Sequence, residues 1–204
     1  MKAVLISIRP GWCEKIANET KTVEVRKTKP KLEPPFKCFI YCTKPSYEHE
    51  DFFVFDAGTE NSKAYYGGGK VIGEFVCDQI YDCDADSVGL FDKEAKEYLP
   101  GSCMSFEQIC SYAKGMLPLY GWHISDLKIY DRPKAITEFL IIDKKAVKNC
   151  PYRERTGQAE IVTKHNGWIK GSYLCTIDGI TWCYPCHIKN IERPPQSWCY
   201  VEVL

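Results

Sequence analysis

The chain has 204 residues, with 27 basic residues balanced by 27 acidic ones, a length that fits one domain plus an appendage. Zero net charge excludes the strongly basic character of a dedicated duplex-DNA binder. Twelve cysteines without a recognisable signal peptide argue against a disulfide framework, and no apolar run approaches the ~20 residues that span a bilayer. A cytoplasmic protein with reduced thiols is expected, and Cys38, Cys42 and Cys77, in strand-like runs, read as small buried hydrophobes.

In chain order, Lys2 to Ile8 alternates and reads as a strand. Pro10 opens a short helix running to about Asn18. Thr22 to Lys27 is a second strand, followed by a turn rich in proline (Pro30, Pro34, Pro35). Phe36 to Thr43 is a third strand. Residues 44–69 form an acidic, aromatic insertion ending in Gly67-Gly68-Gly69. Lys70 to Tyr81 reads as one long strand with a bulge at Gly73. Short helices are expected at Asp92–Tyr98 and Ser105–Lys114, the second capped by Ser102 or Ser105. Gly121 to Tyr130 is a strand, Pro133 opens a helical turn, and Glu138 to Ile142 is a further strand. Residues 144–190 are weakly patterned apart from a hairpin, Tyr173–Ile177 and Ile180–Cys183, turned by Asp178-Gly179. Trp198 to Val203 closes the chain. Many short strands with few helices suggest a mixed α+β barrel.

The charges are unevenly placed. Residues 1–44 carry 10 Lys/Arg against 4 Asp/Glu, and residues 45–110 carry 4 against 14. The densest cluster is Lys21-x-x-Glu24-x-Arg26. Strand periodicity puts Thr22, Glu24 and Arg26 on one face and Val23 and Val25 on the other. On pattern alone this is equally a surface ion-pair cluster. In a cleft, Lys21 and Arg26 would donate to phosphate or a polar base edge, Glu24 would orient them, and Trp12, Trp122 or Trp198 would stack on a base for roughly 1–3 kcal/mol. His123 either faces that cleft or bonds a backbone carbonyl.

With Ile6-Ser7-Ile8-Arg9-Pro10 and the Trp12–Ala17 helix before it, this cluster resembles the signature of the ASCH domain, a small PUA-like β-barrel family. The usual pattern is Gly-x-Lys-x-x-Glu-x-Arg, and Glu19 stands where glycine is normal. Gly121 to Tyr130 and Arg193 to Tyr200 resemble stretches of bacterial and phage-borne members. The resemblance implies a PUA-like barrel over residues 1–143, a cysteine-containing extension over 144–190 and a closing strand over 191–204. It also implies RNA or a nucleotide-like small molecule bound beside the motif, at Arg9, Trp12, Lys21, Glu24, Arg26 and His123.

Some members are N4-acetylcytidine amidohydrolases that use Lys, Thr and Glu, which offers an enzyme alternative through Lys21, Glu24 and Glu74. The threonine position holds Glu24 here, so only direct activation of water by Glu24 remains open. A third alternative, a regulatory adaptor with a protein partner, would use the acidic 45–110 segment. Cys183-x-x-Cys186, completed by Cys150 and Cys175, has ligand types for a structural zinc, against a reading as four reduced cysteines. No other cofactor is implied, and neither a membrane nor a DNA duplex is expected as a partner.

Overall fold

Six consecutive buried residues, Ala3 to Ile8, make the first strand one that is covered on both faces rather than half-buried. The computed structural model describes residues 2–44, 53–55, 63–83, 100–115, 118–143, 145, 174–177, 180–183 and 188–203. The chain forms two compact units: Val4–Ala135 with Pro194–Cys199, and Met1–Ala3 with Ile136–Arg193 and Tyr200–Leu204.

The larger unit contains β1 (Lys2–Ile8, from Val4 on), α1 (Pro10–Ala17), β2 (Val23–Arg26), β3 (Phe36–Cys42), β4 (Phe53–Phe55), β5 (Lys63–Tyr65), β6 (Lys70–Cys77), β7 (Ile80–Cys83), α2 (Phe106–Ala113), β8 (Leu119–His123) and β9 (Ser125–Lys134). β1 and β3 are parallel, from Val4↔Cys38 to Ile8↔Cys42. A parallel pair needs a long crossover, and α1 and β2 lie in it. β6 pairs antiparallel with β3, and β9 with β6. A second sheet has the order β2-β8-β7, and β4 and β5 pair with each other.

The expected barrel is not closed. Among the described residues no ladder joins the sheet containing β1, β3, β6 and β9 to the sheet of β2, β8 and β7. The chain passes between them at two corners instead, and each corner splits a strand that the sequence suggested was continuous. One corner is Asp78-Gln79, both exposed, between β6 and β7. The other is Ile124, whose amide makes a last bond in the β2–β8 register, to Thr22 O at 2.8 Å, before β9 begins at Ser125.

The bulge falls beside Gly73 as expected, because β3 passes from Ile40↔Gly73 to Tyr41↔Val71 and skips Ile72. Glycine is required there by close strand approach, since a Cβ would lie 2.5 Å from Lys128 O. Ser105, not Ser102, caps α2, exchanging hydrogen bonds with Gln108 in a capping box. Pro133 lies within β9, the last strand of its sheet, where a missing N–H is tolerated. The helical turn comes later, at Ile136–Glu138. The insertion supplies β4 and β5 rather than loop alone. The expected helix at 92–98 lies outside the described residues.

The smaller unit contains that turn, β10 (Leu140–Ile142), β11 (Leu174–Ile177), β12 (Ile180–Cys183), β13 (Ile188–Asn190) and the end of β14 (Trp198–Glu202). β10 lies between β13 and β14, and β11 and β12 form the expected hairpin. Lys2 Nζ stands 4.5 Å from the centre of the Tyr200 ring. Among the described residues no helix is long and apolar enough to cross a membrane.

Candidate functional site

The site is built from the end of α1 forward. Pro10 fits the first helical turn because it has no N–H to satisfy there. Arg9, extended and exposed, precedes it, and its carbonyl accepts from Trp12 N and Cys13 N at 3.0 Å each. The helix ends in a Schellman turn, with Thr20 N bonded to Lys15 O and Glu19 N to Ile16 O, both at 2.9 Å. Glu19 is the left-handed residue of that turn, at φ 56°. This turn delivers Lys21 to the head of β2.

A distant segment then clamps the strand. Gly101 O accepts from Thr22 N at 2.8 Å and Val23 N at 2.9 Å. Gly101 has φ +80°, and a Cβ there would lie 2.2 Å from Thr22 Oγ1. Next along the segment, Ser102 O accepts from Lys21 Nζ at 2.6 Å, and Val23 O accepts from the same ammonium at 2.8 Å. The Cys103 thiol donates to Thr20 O at 3.1 Å.

Glu24 joins the two cations. Its Oε2 is 3.5 Å from Lys21 Nζ, and its Oε1 is 2.9 Å from an Arg26 amino group. That same Arg26 nitrogen donates to Ser7 O at 2.6 Å, and the other terminal nitrogen reaches Ser197 Oγ at 3.5 Å. The side chains of Lys21, Glu24 and Arg26 are only 1%, 8% and 8% exposed, so this is a buried network, not a surface cluster. Burial lowers the Lys21 pKa below its ordinary 10.5, with Glu24 opposing the shift. Lys21 and Arg26 thus direct donors at backbone carbonyls and Glu24.

The strand's alternation is as read, but both faces are covered. Val25 belongs to an apolar cluster with Cys83, Met104, Ile109, Ala113 and Leu119, against which Trp12, Phe106 and Tyr112 pack. On the other face, Glu24 is directly opposite Trp122 of β8. Trp122 is fully buried and meets Phe36 edge-on, with ring centres 5.8 Å apart. Trp122 Nε1 and Arg26 Nε have no acceptor among the described residues. Trp198 is partly exposed, with Nε1 donating to Thr28 Oγ1 at 3.0 Å.

Of the residues expected at the site, Lys21, Glu24, Arg26 and Trp12 come together. The Trp12 ring centre is 4.9 Å from Lys21 Nζ and 5.0 Å from Lys15 Nζ. His123 does not join them. It is opposite Val23 in the ladder, so it projects from the face away from Glu24, and its Nδ1 bonds Asp78 Oδ1 at 2.6 Å. Glu74 is bonded to Tyr130 Oη at 2.6 Å and Lys37 Nζ at 2.9 Å rather than to Lys21. Tyr112 was missed. Burial raises its phenol pKa, and the charges of Arg26, Glu24 and Arg9 all act on it. No local pattern links a tyrosine on α2 to a motif at the head of β2.

The cysteine set lies on Cys150 and Cys186, outside the described residues, and on Cys175 and Cys183, described only by backbone pairing with Trp182 and Leu174. Among the described residues no group of three or more metal-ligating side chains is assembled. Cys13, Cys38, Cys42 and Cys77 are buried free thiols.

A serine-to-alanine variant of the ASCH protein from Zymomonas mobilis matches with a TM-score of 0.50 and 15% identity, over 98% of this chain and 88% of that one. The fold is that of an ASCH domain. The Zymomonas mobilis ASCH structure without that substitution matches at TM-score 0.47 and 20% identity, covering 72% of this chain and 80% of its own. A tyrosine-to-phenylalanine variant gives 0.47 and 19%, covering 73% and 84%. No family model and no curated protein matches the sequence. The position where the ASCH pattern places glycine is the left-handed corner occupied here by Glu19, a backbone state for which glycine is the natural choice.

Proposed function

We propose that this chain binds RNA or a nucleotide-like small molecule beside the Lys21–Glu24–Arg26 network. The observation that carries the reading is the partly exposed Trp12, held against the apolar cluster with the ammoniums of Lys21 and exposed Lys15 4.9 and 5.0 Å from its ring centre and exposed Arg9 three residues before it. An indole fixed in this way offers a face to a base, and the exposed cations offer charge to its phosphate. Lys21, Glu24 and Arg26 serve as positioning residues that fix the turn from α1 into β2. Isothermal titration with uridine and adenosine 5′-monophosphates tests the reading. Trp12→Leu and Arg9→Gln each weaken binding, Trp12→Leu by roughly five- to hundredfold, while the melting temperature stays within a few degrees. Unchanged affinity in both variants would sink it.

The hydrolytic alternative draws on one observation, that burial lowers the Lys21 pKa in the direction a general base needs. Against it, the Lys21 ammonium is engaged by two carbonyls and Glu24, and the Glu74 carboxylate is held by Lys37 and Tyr130. Release of acetate from N4-acetylcytidine by wild type, lost in Lys21→Met, would reinstate it.

A further inference from the structure

We infer that Tyr112 is a second stacking platform, so that the ligand is a single-stranded chain of at least two nucleotides. The inference rests on the nucleotide-binding reading above and adds a subsite to it. Trp12 and Tyr112 come from different helices, α1 and α2, yet both pack against the same apolar cluster around Val25, Ile109 and Ala113. Their placement is therefore set by the core, not by the freedom of two surface side chains. Each ring has a lysine ammonium near it: Lys15 Nζ, besides the buried Lys21 Nζ at 4.9 Å, is 5.0 Å from the centre of Trp12, and Lys27 Nζ is 5.3 Å from the centre of Tyr112.

An ammonium over an exposed ring contributes about 0.5–1 kcal/mol, whereas a stacked base contributes roughly 1–3 kcal/mol. A base can thus displace Lys15 and Lys27 from their rings. The displaced ammonium, tethered alongside, would then meet the phosphate attached to that base. Two rings, each with a lysine ammonium near it, match two successive bases joined by a phosphodiester. A duplex would not serve, since its base faces are already stacked.

The test compares the affinities of the full chain for uridine 5′-monophosphate, the dinucleotide UpU and a four-nucleotide oligouridylate. Wild type is expected to gain roughly five- to hundredfold on going from one base to two. Tyr112→Leu reduces that gain to about twofold or less, Tyr112→Phe keeps it, and Lys27→Gln flattens its dependence on salt. Circular dichroism on the same samples identifies a variant that fails to fold, in which case Tyr112→Phe against Tyr112→Ser decides. If wild type binds the mononucleotide but gains nothing from the second base, the second platform is overturned and the nucleotide reading stands. A gain that survives Tyr112→Leu overturns it too. If none of the three ligands binds, both readings fall together.

Discussion

Glu24 and Glu74 are both carboxylates of the larger unit held by a lysine and one further donor, but their surroundings differ. Glu24 is 8% exposed between Lys21 and Arg26, which are themselves 1% and 8% exposed. Glu74 is 23% exposed and its lysine partner, Lys37, is 38% exposed. The partners of Glu24 are three and two residues away in sequence, whereas those of Glu74 come across the sheet from β3 and β9. The comparison separates two properties that sequence alone runs together. Locality makes a charge cluster easy to see, while burial decides what the cluster is worth.

The largest effect should therefore follow from removing the charge of Glu24. Glu24→Gln keeps the shape and leaves two buried cations without their counter-charge, which costs about 3–5 kcal/mol. Urea denaturation at neutral pH would show this as a large fall in midpoint. A loss no greater than that of Glu74→Gln would break the comparison.

Gly101 sharpens it from the side of the clamp. Gly101→Ala puts a methyl group against Thr22 Oγ1 at a backbone angle disfavoured for alanine, with an expected cost of about 1–3 kcal/mol. Adding Thr22→Ser gives the hydroxyl a freer rotamer and should recover part of the loss. No recovery would mean that the backbone angle alone, not the contact, sets the cost.

These two residues also mark where sequence was legible. The first strand, the short helix, the second strand and the motif all followed from local periodicity and turn residues, because each is specified within a few positions. The clamp at 101–103 was not, since a carbonyl acceptor for Lys21 leaves no trace in side-chain pattern. Nor was the burial of Lys21, Glu24 and Arg26, because alternation tells which residues share a face and not what covers it. The splits at Asp78-Gln79 and Ile124 were missed although each has a local mark, two adjacent polar residues at Asp78-Gln79 and the Ser125-Asp126 pair that shifts the alternation after Ile124. Tyr112 reaches the site only through the packing of α2 on Val25.

Glu74 supplies a smaller and pH-dependent effect. Desolvation alone would push its carboxyl up, but hydrogen bonds from Tyr130 and Lys37 outweigh that and leave the pKa below its ordinary 4.5. A folded-state pKa below the unfolded one gives stability that is present above the unfolded value and lost as pH falls through the folded value. Glu74→Gln should thus cost about 0–1 kcal/mol at neutral pH. Its stability gap from wild type should close as the pH is lowered below about 4. A gap that persists unchanged at pH 2 would show that the hydrogen bonds, not the ionisation, are what matters.

The smallest effect has the opposite sign and tests the turn that presents Lys21. Glu19 sits at φ 56° in the Schellman corner, where an L-residue with a Cβ is strained by roughly 1–2 kcal/mol. Glycine removes that strain but gives the unfolded chain more freedom, which offsets about 0.4–1 kcal/mol of the gain. The balance favours Glu19→Gly by a few tenths to about 1 kcal/mol, a rise in melting temperature of roughly 1–4 °C for a chain of this size. The side chain of Glu19 is exposed and contributes nothing to the network around Glu24, so the gain should appear without a change in ligand affinity. A fall in melting temperature would mean that the glutamate makes a contact that outweighs the strain of its backbone, and the turn would then be held by its side chain rather than by its hydrogen bonds.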